Sequence, residues 1–86
     1  MDNILRAYKN HLKKIDASSH TIRAYINDLN KFRTWYSEST GDELEVSAVG
    51  PLDVAEFKRY LLTRGQKPTT INRALASISA FYVWAT

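Results

Sequence analysis

Apolar residues return every three or four positions in four separate segments of this 86-residue chain, and that spacing leaves little besides a bundle of helices. The first segment carries Ile4, Leu5, Tyr8 and Leu12 on one face and predicts a helix over 2–14. Asp2 or Asn3 can cap its start, and Lys13 and Lys14 suit the negative end of its dipole. The second carries Ile22, Tyr25, Ile26, Leu29, Phe32, Trp35 and Tyr36, a long helix opening at Ser18 or Ser19 and closed by Ser39-Thr40-Gly41-Asp42. Gly50-Pro51 opens the third, with Val54, Phe57 and Leu61 inward, Tyr60 beside them, and Arg64-Gly65 as its stop. The fourth starts near Pro68. Its buried stripe is Ile71, Ala74, Leu75, Ile78, Phe81, Tyr82 and Ala85, with Thr69, Thr70, Arg73, Ser77 and Ala80 on the other side. Trp84 falls off that stripe and is expected at the surface.

Three glycines and two prolines are too few for the turns of an all-β fold. Leu44, Val46 and Val49, in the acidic connector, can tuck back onto the core, and no strand is expected there. The short connections pair the helices into two hairpins packed on each other, one domain over residues 1–86. With no cysteine, disulfides and thiolate metal sites are excluded, and a cytoplasmic location is expected. No apolar run approaches the ~18 residues of a membrane span.

The net charge of +3 conceals a segregation. Glu38, Asp42, Glu43 and Glu45 cluster without a base, leaving twelve bases against five acids elsewhere. That excess favours a polyanionic partner.

Catalytic groupings are scarce. His20-Thr21-Ile22-Arg23 spells H-x-x-R but reads as the polar first turn of a helix, and His11 as a solvated residue. The carboxylates are scattered, the glycines isolated, and no metal or cofactor is expected. Two helix starts are alike: Ser18-Ser19-His20-Thr21 with Arg23, and Lys67-Pro68-Thr69-Thr70 with Asn72 and Arg73. Free N–H groups at a helix start attract phosphate, and nearby Arg or Lys adds charge-assisted bonds. Farther along the fourth helix, Arg73 and Ser77 are expected to reach base edges in a major groove.

The same residues carry a family resemblance. Ser19-x-Thr21-x-x-x-Tyr25-x-x-Asp28-Leu29-x-x-Phe32-x-x-Trp35 resembles the second helix of the N-terminal core-binding domain of tyrosine recombinases, the phage integrase and Xer group. Pro68-Thr69-Thr70-Ile71-Asn72-Arg73-Ala74-Leu75-Ala76-Ser77-Ile78-x-x-Phe81-Tyr82 is similar to that domain's last helix, and Pro51 to Leu62 to its third. The resemblance implies an all-α, orthogonal four-helix bundle of two crossed helical hairpins, the SAM-like integrase N-terminal fold. It implies a clamp on double-stranded DNA at a recombination or attachment site, with contacts to other protomers. The DNA-facing residues it implies are Ser18, Ser19, Thr21 and Arg23, then Lys67, Thr69, Thr70, Asn72, Arg73 and Ser77.

The family's cleaving residues belong to a C-terminal catalytic domain, so this chain by itself is expected not to be an enzyme and to be monomeric. Ile78 to Trp84 is expected to lead toward the linker to that domain. Arg73→Ala is expected to weaken DNA binding and a change at Lys9 to do little. The alternative is a helical protein–protein interaction module, marked by an exposed apolar patch such as one around Trp84.

Overall fold

The computed structural model describes residues 2–86. It holds four helices, α1 (Asp2–Lys14), α2 (Ser19–Thr40), α3 (Pro51–Thr63) and α4 (Pro68–Ala85), with a 3₁₀ turn over Val46–Ala48. There is no strand among the described residues, and no helix is long and apolar enough to cross a membrane. The fold is an all-α, SAM-like bundle.

Each boundary has a local cause. Ser18 Oγ accepts the Thr21 N–H at 3.1 Å and caps α2. Gly41, at φ 79°, ends α2 by donating its N–H to the Ser37 carbonyl at 2.9 Å. The Asp53 carboxylate accepts the Gly50 N–H at 2.9 Å, and Pro51 fills the first position of α3.

Both hairpins close through the same turn. After α1, Ala17 N–H bonds Leu12 O and Asp16 N–H bonds Lys13 O, both at 3.1 Å. After α3, Gln66 N–H bonds Leu61 O at 3.2 Å and Gly65 N–H bonds Leu62 O at 3.1 Å. This paired closure puts the intervening residue in the left-handed region, Asp16 at φ 62° and Gly65 at φ 74°. Two residues later stands the N-cap residue of the next helix, Ser18 and Lys67, of which Ser18 caps with its side chain. The likeness lies in the backbone, so no sequence repeat betrays it. Asp16 bears a Cβ penalty that Gly65 avoids. Asp16→Gly is therefore expected to stabilise the fold by about 0.5–1 kcal/mol in urea unfolding.

The two hairpins meet where α2 packs on α4. Phe32, Phe57 and Phe81 are fully buried. Phe32 of α2 meets Phe57 of α3 edge-on at 5.1 Å, and Tyr8 of α1 meets Phe81 of α4 likewise at 5.2 Å. Leu44 is buried and Val46 and Val49 are half-buried, so the connector does fold back onto the core, as a 3₁₀ turn. Arg33 hydrogen-bonds Asp2 and lies 3.9 Å from Glu43, tying the start of α1 and the connector to α2. That guanidinium holds the Asp2 carboxyl below the usual carboxylate range.

Trp84 and His11 depart from their sequence expectations. Trp84 is half-buried, 5.0 Å from the Tyr8 ring, 6.0 Å from Phe81 and 5.7 Å from His11. The last turn of α4 lies against α1, so a residue off the main stripe finds a second helix to pack on. His11 is half-buried for the same reason, stacked on Trp84 and on Tyr8.

Tyr82 brings its hydroxyl into the interior without a hydrogen-bond partner among the described residues. Burial first, then the charge of Asp53, pushes its phenol up to about 12. The fold thus favours the neutral phenol. Its contribution is complete below a tyrosine's ordinary value of about 10 and is lost as pH rises from there to about 12. Tyr82→Phe removes the orphaned hydroxyl. It is expected to add about 1 kcal/mol at neutral pH and to flatten the stability loss above pH ~10.

Candidate nucleic-acid interface

The exposed edge of α2 is polar at helical spacing. His20, Arg23, Asn27 and Lys31 follow at steps of three and four residues, which puts them in one line. On one side α4 approaches and adds Arg73, forming an open groove of about 440 Å³ lined by these five residues and Ala24. On the other side α1 brings Lys9 and Lys13 beside Ser19 and Arg23 in a groove of about 410 Å³. A third, of about 510 Å³, runs from Lys31 to Thr70, Gln66 and Arg64 and reaches Glu38 at one end. Arg23 and Asn27 belong to the first two grooves and Lys31 to the first and third, so the three form one continuous surface.

Beneath that surface sits a buried polar cluster. Arg73 donates from Nε to Asp28 Oδ2 at 3.1 Å and from Nη2 to Asp28 Oδ1 at 3.0 Å. The Ser77 hydroxyl donates to Asp28 Oδ2 at 2.9 Å and lies 3.0 Å from the Arg73 carbonyl oxygen. The Asp28 side chain is 2% exposed, whereas that of Arg73 is 49% exposed. These hydrogen bonds, and then the carboxylate's charge, hold the Arg73 guanidinium above its ordinary value. A bidentate arginine and a hydroxyl supply the hydrogen bonds that a buried carboxyl group requires.

This cluster corrects one assignment and constrains another. Ser77 is fully buried, with its hydroxyl turned to Asp28, so it cannot reach a base edge. Arg73 does lie on the expected surface, but one edge of its fork and the balance of its charge are committed to Asp28. The cause is the α2–α4 packing: Asp28 stands within the buried face of α2, and the facing positions of α4 must satisfy it.

The other sequence candidates divide. Ser19 and Arg23 line the basic surface, and half-buried Thr70 lines its far groove. Ser18 and Thr21 hydroxyls bond each other at 2.9 Å, so capping accounts for both. Lys67, Thr69 and Asn72 are exposed but line none of the three grooves. Lys9, expected to stand apart, shares a groove with Ser19 and Arg23. His20, Asn27 and Lys31 line the same surface without being among the DNA-facing residues the resemblance implies, although their spacing with Arg23 marks a single helix edge. Among the described residues no cluster of three His, Cys, Asp or Glu is placed to hold a metal.

Comparison with known proteins agrees with this architecture. The family model for the phage integrase N-terminal SAM-like domain matches residues 5–86. A tyrosine recombinase XerC of Chlorobaculum tepidum is 39% identical over 72 residues, which cover 78% of this chain and 21% of that protein. The XerC of Staphylococcus saprophyticus is 28% identical over 88 residues, covering 100% of this chain and 29% of the relative. That of Rhodospirillum centenum is 32% identical over 72 residues, covering 80% and 21%. The chain thus spans between a fifth and a third of the length of these relatives. No solved structure matches it. The helices, their order and these relatives leave one placement: the chain belongs to the phage integrase N-terminal SAM-like domain family.

Proposed function

We propose that residues 1–86 form the DNA-gripping, core-binding domain of a cytoplasmic site-specific tyrosine recombinase. The domain clamps double-stranded DNA at a recombination or attachment site. A catalytic domain elsewhere in the parent cuts and rejoins strands through a phosphotyrosine link, and parent protomers touch one another on the DNA. The reading rests on one observation above all: the basic surface along α2, with Arg23 and Lys31 between the bases of α1 and those of α3–α4. Cations at this density suit phosphates, which position a domain on DNA without reading sequence. With about four phosphate contacts, log K falls by ~3.6 per decade of salt, so raising salt from 50 to 200 mM weakens binding ~150-fold. Fluorescence anisotropy with a duplex at both salts measures this. Binding that ignores salt, or none at 50 mM, sinks the proposal.

The second reading, a protein–protein interaction module, has its own observation. Val49, Pro51, Val54, Leu75, Ile78 and Tyr82 line an apolar groove of about 380 Å³ between α3 and α4. The patch expected around Trp84 is not the site of it, since Trp84 packs on α1.

A further inference from the structure

We propose that Asp28 is a positioning residue for phosphate recognition: it holds Arg73 so that the outer edge of the guanidinium is presented, pre-ordered, to a DNA phosphate. The inference rests on the DNA-binding reading above.

A guanidinium is planar and has two hydrogen-bonding edges beyond its stem. Asp28 takes the Nε–Nη2 edge with two bonds of 3.1 and 3.0 Å. The Nη1–Nη2 edge is not taken by the carboxylate, and Arg73, with its side chain 49% exposed, lines the groove with His20, Arg23 and Lys31. That edge matches the paired oxygens of a phosphate. Ser77 adds a third bond to the carboxylate and so fixes Asp28 in turn. Because the Asp28 side chain is 2% exposed, its position is set by packing rather than by the ligand. A free arginine loses rotamer freedom on binding, which weakens the contact; Arg73 has lost that freedom already.

Charge counting and positioning predict opposite signs for one variant. Asp28→Asn removes a negative charge from beneath the surface. Charge alone then predicts tighter duplex binding and a steeper salt dependence. Positioning predicts binding about tenfold weaker, from a fork no longer held. The variant is titrated with a duplex at 50 mM salt, below its own melting temperature as read by circular dichroism. Equal or tighter binding overturns the inference.

A measurement on the unaltered chain decides the matter even where Asp28→Asn does not fold. In nitrogen-15 spectra, the Arg73 Nε–H signal is expected to be sharp without DNA and its Nη signals to shift and sharpen when the duplex is added. Arg73 signals that stay put while those of Arg23 move overturn the inference and leave the DNA-binding reading standing. A duplex that does not bind at all defeats both.

Discussion

Arg73→Ala is expected to unfold much of the protein at temperatures where the unaltered chain is native. Truncation leaves the Asp28 carboxylate buried with Ser77 as its one remaining hydrogen-bond partner among the described residues. Breaking a buried ion pair from one side costs 3–5 kcal/mol; with half of Arg73 in water, the lower end applies, about 3 kcal/mol. That is a large part of the roughly 4–13 kcal/mol typical of a chain this size, and it lowers Tm by about 12–24 °C. Thermal melts followed by circular dichroism measure it. Adding Asp28→Ala is expected to lose less than the two single changes summed, because the stranded charge goes with it. A Tm within about 2 °C of the parent chain would show that the cluster carries no weight. The sequence alone makes Arg73→Ala look like a simple loss of a DNA contact; the structure requires that weaker binding be separated from lost fold.

Arg23→Glu combined with Lys31→Glu is expected to leave the fold intact and to remove DNA binding. Both side chains are exposed, so stability should change by no more than about 0.5 kcal/mol. Each charged contact to phosphate is worth about 1.5 kcal/mol or more, so losing two weakens binding at least ~100-fold at low salt. Reversing the sign adds repulsion beyond that. The salt dependence should become shallower by ~1.8 in slope, two contacts at ~0.9 each. Anisotropy titrations check both, with melting curves as the control for folding.

The helices were readable because each is marked twice, by an apolar stripe and by its boundary residues. Ser18, Gly41, Pro51 and Gly65 stand where α2 starts, α2 ends, α3 starts and α3 ends. The connector was readable through Leu44, an apolar residue among acids that had to be buried. What the stripes could not give is which second helix a residue meets. Trp84 and His11 stand at the margins of their own stripes and pack on each other because α1 and α4 adjoin. The Asp28 cluster joins residues 45 and 49 positions apart, a distance over which no local pattern speaks. One sign was present: Asp28 sits three residues after Tyr25 and four before Phe32, a carboxylate on a buried stripe. Such a residue requires a buried partner, and Arg73 and Ser77 lie on a helix that also offers Thr and Asn, so the sequence could not say which. The basic surface was legible in part for a related reason. Arg23 stood out at its helix start, whereas Lys9 and Lys13 join it only through the packing of α1 on α2.

We propose that DNA is gripped along α2 where α1 and α4 flank it. Amide chemical-shift mapping of the labelled chain against a short duplex at low salt tests it directly. The largest shifts are expected on Ser19, His20, Arg23, Asn27 and Lys31, extending to Lys9 and Thr70 and vanishing at moderate salt. Shifts centred instead on Val49, Val54 and Tyr82, around the apolar groove, with none along α2, would contradict it.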